Sequence, residues 1–416
     1  MKKIILLISL ISVLASCGGG GGGGGSAPQT TSATPVTPTP GSTNTGSGNT
    51  NGTNNGNNNG QVVQPQNPAP VPAAPQVPTA DNRFSKPVDS REITGQGVKV
   101  GVLDSDFLSR DVKTEDFHRR IDYEGFLQND TFAQVINDEF GSRMTAVDKV
   151  LGPDSTLSKS EHGLIVATIL AGRNGNGAKG ASVYGVSFGE SGKKIVADKS
   201  KYEELYNSGV RIFNQSFGVS TEVIGFNRSS AKYQINNGSS TEDILGFYQT
   251  AVNNGALFIW AAGNESFKSN PSLEGGLPYL YNELEKGWIN VVGLAKDSPI
   301  NPGSTNWEDL QRLNGAGVAK NWTVSVVSGI TVQSKVNGLR GTYTMNGSSF
   351  AAPIVAGTAA LIKEKYPWMT GDLIRQTILS TATDIGKKGV DEDFGWGLLN
   401  IGKALNGPAL FDKRLA

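Results

Sequence analysis

The sequence predicts an α/β fold with three layers, in which helices cover both faces of a mostly parallel central sheet. Short apolar runs, each of the length of a buried strand, recur between residues 98 and 294. Longer segments with helical spacing of their apolar residues lie between these runs and after them. Strands that alternate with helices in this way are typical of an open parallel sheet that is buried on both faces.

The predicted elements also indicate where a functional site should lie. Strands are expected at 98–103, 181–188, 210–213, 256–261 and 289–294, and helices at 163–171, 244–253, 351–365 and 371–381. In open parallel sheets, ligands bind beyond the carboxyl ends of the strands. Asp104 and Asn264 follow two of the apolar runs and are therefore expected at that edge.

The N-terminal part of the chain has a different composition from the rest. Residues 1–16 carry lysines at positions 2 and 3 and continue with a short apolar run, which is typical of a signal peptide and too short for a permanent membrane span. Residues 17–80 are rich in Gly, Ser, Thr, Asn and Pro, and we expect them to form a disordered tether. Residues 81–416 are then the folded domain, and we expect it to be monomeric.

Cys17 is the only cysteine in the chain, which excludes an internal disulfide. The quartet Leu14-Ala15-Ser16-Cys17 resembles the lipobox of bacterial lipoproteins. That resemblance implies cleavage before Cys17, lipidation of its new N-terminus and attachment to a membrane of the cell envelope. Gly18 follows Cys17, in place of the aspartate that tends to retain such lipoproteins at the inner membrane of enterobacteria. The resemblance therefore favours the outer membrane or the cell surface.

The charge balance argues against a nucleic-acid partner. Lysine and arginine together number 37, as do aspartate and glutamate, so the net charge is zero. A nucleic-acid-binding domain normally carries a basic excess that meets the phosphates.

The segment 347–353 (Gly-Ser-Ser-Phe-Ala-Ala-Pro) places a serine where the chain enters an apolar helix. Gly347 is expected to form the turn, and Ser349 to carry a hydroxyl in the positive field of the helix N-terminus, which suits a nucleophile. A serine in this position is also a common helix cap, so the segment alone leaves both interpretations open.

A nucleophilic serine needs a base and a group that orients the base. The chain has two histidines, and His162 begins a predicted helix whereas His118 lies in a charged stretch. We therefore take His162 as the general base. Asp104 directly follows a buried run and can orient an imidazole, although its neighbour Asp106 is a rival for that role.

Asn264 follows the apolar run that ends in Ala261-Ala262-Gly263. A side-chain amide fixed at this position can donate to an oxyanion. An asparagine after a glycine is also a common turn residue.

In this order, the four residues and their surroundings resemble the subtilisin-like serine proteases. The resemblance covers roughly residues 93–405, and it implies the subtilisin-like form of the α/β/α fold. It identifies Asp104, His162 and Ser349 as the triad and Asn264 as the oxyanion donor. It further implies two walls that bind the substrate as an extended strand, made by Ser216, Phe217 and Gly218 on one side and Ala261, Ala262 and Gly263 on the other.

The resemblance implies a serine endopeptidase that acts on polypeptides at the cell envelope, without a cofactor for the chemistry and without a catalytic metal. The sequence does not identify structural calcium sites. Small residues in both walls lead us to expect a roomy, apolar first pocket. Two alternatives remain open: a degenerate relative that only binds at the surface, and a transpeptidase that passes the acyl group to an amine.

Overall fold

An eight-stranded sheet forms the centre of the folded part of the chain. The computed structural model describes residues 92–105, 107, 137–146, 156–157, 162–173, 175, 177–187, 189–191, 194–266, 268–299, 310–336 and 339–407. All of these residues belong to one compact unit. The predicted boundaries after residues 16 and 80 lie outside the described residues.

The described strands and helices follow the α/β order that the sequence predicts. The strands are β1 (Lys99–Asp104), β2 (Met144–Ala146), β3 (Thr156–Leu157), β4 (Ser182–Ser187), β5 (Gly189–Ser191), β6 (Lys194–Val196), β7 (Ile212–Gln215), β8 (Leu257–Ala261), β9 (Trp288–Pro299), β10 (Leu310–Arg312), β11 (Thr323–Val327), β12 (Ile330–Val336) and β13 (Leu339–Met345). The α-helices are α1 (His162–Ala171), α2 (Lys199–Asn207), α3 (Arg228–Ile235), α4 (Ile244–Asn253), α5 (Ser348–Lys365), α6 (Gly371–Ser380) and α7 (Ile401–Leu405). Short 3-10 helices cover Gly141–Arg143, Val223–Gly225, Leu277–Tyr279, Asn282–Gly287 and Gly317–Trp322.

The sheet is mostly parallel, as predicted. Its strand order is β10-β9-β8-β7-β1-β4-β2, and β11 pairs with β9 beside this path. Only the β10–β9 pair in this sheet is antiparallel among the described pairings. Because β1, β7 and β8 are parallel neighbours, their carboxyl ends lie along one edge, and the chain leaves each of them on the same side.

Helices cover the sheet on both faces, which gives three layers. Successive strand residues point to opposite faces. In β8, Leu257 and Ile259 belong to the core cluster that includes the buried residues of α1 and α5, whereas Phe258 and Trp260 belong to the cluster with the residues of α2 and α4. The second cluster is aromatic, since Trp260 and Trp288 stack with ring centroids 5.6 Å apart.

The predicted elements agree with the structure to within a few residues. The helix at 244–253 has the predicted bounds, whereas α5 begins at Ser348, three residues before its predicted start. The sequence did not predict the β12–β13 hairpin, which lies directly before α5, or the helices α2 and α3. Within the described part of the chain, no helix has the length and apolar character that crossing a bilayer requires.

Candidate active site

Asp104 and His162 form a close pair at the carboxyl edge of the sheet. Asp104 is the last residue of β1 and is 1% exposed, and His162 is the first residue of α1. The distance from His162 Nδ1 to Asp104 Oδ1 is 2.7 Å. Since an ionised carboxylate only accepts hydrogen bonds, this contact favours the tautomer with the proton on Nδ1, in which Nε2 carries the lone pair that a base needs.

The pair changes how His162 binds protons. Burial by itself would lower the pKa of His162, but the charge of Asp104 and its hydrogen bond raise it, and the net effect is a pKa above the usual 6.5. The side chain is 17% exposed, so the ring still reaches the edge of the domain. An imidazole with these properties can accept a proton and hold it as a stabilised imidazolium.

The local sequence explains why the pair can form. Gly163 lies so close to the end of β1 that a Cβ there would be 2.7 Å from Ser105 O and 3.2 Å from Asp104 Cβ. Gly163 N also donates to Ser105 Oγ (2.8 Å). The glycine after His162 therefore lets the start of α1 pack directly against Asp104 and Ser105.

Ser349 lies in the first turn of α5, and the residue after it contacts the His162 ring. The ring of Phe350, the next residue, is 5.7 Å from the His162 ring between centroids. Ser349 Oγ donates to Ser216 O (3.0 Å) rather than to the imidazole. Catalytic hydrogen bonds are often absent or long without substrate, so the serine would have to exchange this partner for His162 Nε2 in a reaction.

Pro353 explains how the serine backbone is held. A proline has no N–H, so the carbonyl of Ser349, four residues earlier, lacks its helical partner. Ser216 Oγ donates to this oxygen instead (2.8 Å), and Asn214 Nδ2 donates to Ser216 Oγ (3.0 Å). Ser216 and Ser349 are thus joined by two reciprocal hydrogen bonds, which tie α5 to the end of β7.

The start of α5 excludes one of the two interpretations of Ser349. Gly347 is the N-cap residue of α5, so Ser349 is not the cap. Gly347 has φ 173°, an extended conformation that any residue adopts. Gly347 therefore lies at the predicted entrance to the helix, but its φ angle does not require a glycine.

Asn264 is held by the residue before the serine. Its Oδ1 accepts hydrogen bonds from Ser348 N (2.8 Å) and Ser348 Oγ (3.0 Å). A backbone N–H can only donate, so the atom that faces it must be the amide oxygen, and Nδ2 points to the other side. Ser348 is thus the group that orients the Asn264 amide.

The loop around Asn264 depends on Gly263 and Asn314. Gly263 has φ +116°, a conformation that favours glycine, and a Cβ there would be 2.8 Å from the Asn314 side chain. Asn314 accepts from Glu265 N (2.7 Å) and donates to Asn270 O (3.0 Å). No sequence pattern predicted this role of Asn314, because the residue lies 50 positions beyond Asn264 along the chain.

Similar proteins were found over most of the folded part. The model of the subtilase family of S8 peptidases matches residues 95–397. The chain belongs to the subtilase family. This match contains Asp104, His162, Asn264 and Ser349, in the order that suggested the resemblance.

Individual relatives of this subtilase come from several bacteria. Neisserial autotransporter lipoprotein NalP from Neisseria meningitidis is 29% identical, with 78% of this chain and 34% of the relative covered. An extracellular serine protease from Serratia marcescens is 25% identical, with 77% and 33% covered. Subtilisin Savinase from Lederbergia lenta is 28% identical, with 79% and 98% covered. The chain spans about a third of the length of the first two relatives.

The two predicted walls of the subtilase cleft lie where the chain leaves β7 and β8. Ser216, Phe217 and Gly218 follow β7, and Phe217 packs edge-on against Trp260 with ring centroids 5.4 Å apart. Ala262 is 0% exposed, and its N–H and C=O bond to Val291 O and Ser272 N. Both backbone groups of Ala262 thus have partners within the protein, and the N–H of Gly263 donates to Ser348 Oγ (3.1 Å).

Other predicted residues have no counterpart in the described structure. Asp106, His118 and Cys17 lie outside the described residues. Among the residues that are described, no group of three or more His, Cys, Asp or Glu side chains could hold a metal ion.

Proposed function

We propose that this subtilase is a serine endopeptidase that uses Asp104, His162 and Ser349 as its triad. The observation that carries the proposal is the 2.7 Å contact between buried Asp104 and His162, whose ring also contacts Phe350, the residue after Ser349. A carboxylate-oriented imidazole next to a serine at a helix N-terminus is the arrangement that activates a hydroxyl for acyl transfer.

In the proposed reaction, Ser349 Oγ attacks the carbonyl carbon of the scissile bond, and His162 Nε2 takes the hydroxyl proton. The carbonyl electron pair moves to the oxygen, which becomes an oxyanion. Asn264 Nδ2 and the Ser349 N–H, which is one of the first-turn donors of α5, bind this oxyanion. Asp104 keeps the imidazole in the required tautomer and stabilises the imidazolium.

The intermediate then collapses, and the C–N bond breaks while His162 gives its proton to the leaving amine. The acyl group stays on Ser349 as an ester. A water molecule then undergoes the same steps. His162 takes a proton from the water, the water oxygen attacks the ester carbon, and Ser349 Oγ leaves and receives the proton from His162. The substrate would enter as an extended strand beside Ser216 to Gly218.

We also propose that Cys17 carries a lipid that attaches the enzyme to the cell envelope. The lipobox-like quartet before Cys17 supports this proposal, and one relative is itself named a lipoprotein. Radiolabelled palmitate should enter the wild-type chain and not the Cys17→Ala variant. Incorporation that survives this substitution would contradict the anchor.

The peptidase proposal is tested with a fluorophosphonate probe, which forms a covalent bond with activated serines. We expect the wild-type chain to take the label and Ser349→Ala to lose it, with peptide hydrolysis lost in parallel. Ser348→Ala is the matched control, because it removes the adjacent hydroxyl and should leave a labelled Ser349. A folded wild-type protein that never takes the label would contradict the proposal and favour a surface binding role.

A further inference from the structure

A loop with a buried glutamate lies below the two walls of the cleft. Ser272 N donates to Ala262 O (2.8 Å), which joins the start of this loop to the wall that follows β8. Glu274 Oε2 accepts from Val219 N (3.0 Å), which joins the same loop to the wall that follows β7. The loop therefore bridges both walls, and we take it as the floor between them.

The carboxylate of Glu274 lies directly against the first wall. A Cβ on Gly218 would be 2.9 Å from Glu274 Oε2 and 3.0 Å from Ser272 Oγ, so a side chain at position 218 would collide with the floor. Trp288 Nε1 donates to Glu274 O (2.9 Å) and so holds the glutamate backbone in place. Glycine at 218 thus allows the carboxylate to approach the substrate-binding backbone closely.

Glu274 has no cation to balance it. The residue is 8% exposed, and within the described part of the chain no lysine, arginine or histidine forms a salt bridge with it. Burial raises the pKa of Glu274, although hydrogen bonds from Val219 N–H, its own N–H and Ser272 act in the opposite direction. A carboxylate buried without a counter-charge is costly, and a ligand cation that pairs with it removes that cost.

We infer that Glu274 is the specificity residue of the first pocket and that it selects lysine or arginine immediately before the scissile bond. The inference rests on the proposed peptidase function. The small residues Gly218, Ala261 and Gly263 leave room for a long side chain, whose aliphatic stem can lie along apolar surface while its charged end reaches Glu274. A carboxylate at the floor of a first pocket selects basic side chains in other serine proteases.

This inference changes the expectation of a wholly apolar pocket. The wall residues Gly218, Ala261 and Gly263 are small and carry no charge. The loop that we take as the floor carries a carboxylate, which its neighbours in the sequence do not predict. A purely structural role is the competing explanation, because Glu274 also accepts the Val219 N–H and so holds two loops together. The two roles differ in one measurable respect: a structural glutamate affects all substrates alike, whereas a pocket glutamate affects basic substrates selectively.

The test uses the full chain and two peptidyl diphenyl phosphonates that differ only in the first-pocket side chain, lysine or uncharged norleucine. Their rates of bond formation with Ser349 report on the pocket without requiring turnover. We expect the lysine reagent to react at least about tenfold faster with the wild type. Glu274→Gln should lower the ratio of lysine to norleucine rates about 30-fold or more, mainly through the lysine reagent, as for loss of a buried charge pair.

Glu222→Gln is the matched control. Glu222 also accepts a backbone N–H across these loops, from Asn270 N at 2.8 Å, so it serves as a loop contact without being placed at the pocket floor. Its substitution should leave the lysine to norleucine ratio unchanged. Glutamine at 274 keeps the shape of the side chain and an acceptor for Val219 N–H, and a melting curve verifies that each variant folds.

The outcomes separate this inference from the function on which it rests. A wild type that takes the generic fluorophosphonate but shows no preference for lysine overturns the role of Glu274 and leaves the peptidase proposal standing. The role is also overturned if Glu274→Gln lowers both rates equally. A folded wild type that takes no serine-directed label at all overturns the peptidase proposal, and the inference with it.

Discussion

The proposed catalytic centre and the proposed first pocket each contain one buried carboxylate, and the two are held in opposite ways. Asp104 accepts from Ser105 N (2.6 Å) and lies 2.7 Å from His162 Nδ1, so its charge has a partner within the protein. Glu274 accepts from Val219 N, and no cation of the described residues pairs with it. In the roles that we propose, Asp104 serves a reaction that is the same for every substrate, whereas Glu274 distinguishes between substrates.

This difference predicts how the two carboxylates respond to removal of their charge. Asp104→Asn should lower kcat by about 10⁴-fold, because the asparagine amide favours the wrong imidazole tautomer and no longer stabilises the imidazolium; this is the magnitude known for other serine proteases. The loss should be the same for lysine and norleucine peptides. Steady-state kinetics with both peptides measure it, and Glu203→Gln, at an exposed position on α2, is the control.

An unequal loss of kcat for the two peptides would contradict the separate roles that we assign to the two carboxylates. It would mean that the charge of Asp104 also reaches the first pocket. In Asp104→Asn combined with Glu274→Gln, the two free-energy changes should add, since no described hydrogen bond joins the two side chains to a common partner.

The oxyanion donor gives the next largest effect. Asn264→Asp keeps an oxygen that can accept from Ser348 N, but it replaces the Nδ2 donor with an oxygen that repels the oxyanion. We expect kcat to fall by at least about 10² to 10³-fold, the range found when this donor is removed in subtilisin. The loss should again be independent of the first-pocket side chain, as measured with the same two peptides.

Ser348→Ala is the companion variant for Asn264. It leaves the Ser348 N–H in place and removes the hydroxyl that donates to Asn264 Oδ1. Its loss should be much smaller than that of Asn264→Asp. Equal losses would show that the position of the amide, rather than its donor, limits the rate.

The pH dependence of kcat/KM should also differ between the Asp104 and Glu274 variants. His162 must be neutral to act as a base, and its pKa is raised above 6.5, so kcat/KM should fall as the pH drops through a midpoint above 6.5. In Asp104→Asn, the charge that raises the pKa is gone while burial remains, so the midpoint should move to lower pH. Glu274→Gln should not move it when norleucine peptides are used. A midpoint that shifts equally in both variants would contradict the separation of the two carboxylates.

The same pKa has a consequence for stability. A group whose pKa is higher in the folded state stabilises the fold most where it is protonated in both states. The pairing of protonated His162 with Asp104 is therefore fully present below about pH 6.5 and is lost as the pH rises through the raised pKa. Urea unfolding of wild type and Asp104→Asn across this range measures the contribution.

The sequence marks the four predicted residues of the catalytic centre more clearly than it marks Glu274, and the physical reason lies in how far apart along the chain the interacting residues are. Asp104 and Asn264 follow apolar runs, and His162 and Ser349 lie where apolar helices begin, so each is marked by its neighbours along the chain. Glu274 lies in a loop with no such run, and its role depends on contacts with Val219 and Ala262, which are distant in sequence. The orienting roles of Ser348 and Asn314 are long-range contacts of the same kind.

Substitutions of Gly163 and Gly347, two glycines of the predicted motifs, should have the smallest effects. The two positions differ in whether the surrounding structure has room for a side chain. Gly163→Ala should lower the free energy of unfolding by about 1–3 kcal/mol, because its Cβ would lie 2.7 Å from Ser105 O in a packed contact. Gly347→Ala should change it by less than about 1 kcal/mol, since φ 173° suits any residue and the nearest side-chain atom, Phe350 Cδ2, would be 3.4 Å away. Urea unfolding compares the two variants, and a loss at position 347 as large as that at 163 would show that the start of α5 tolerates no added methyl group. The tight packing needed for catalysis would then extend from the Asp104–His162 pair to the serine helix.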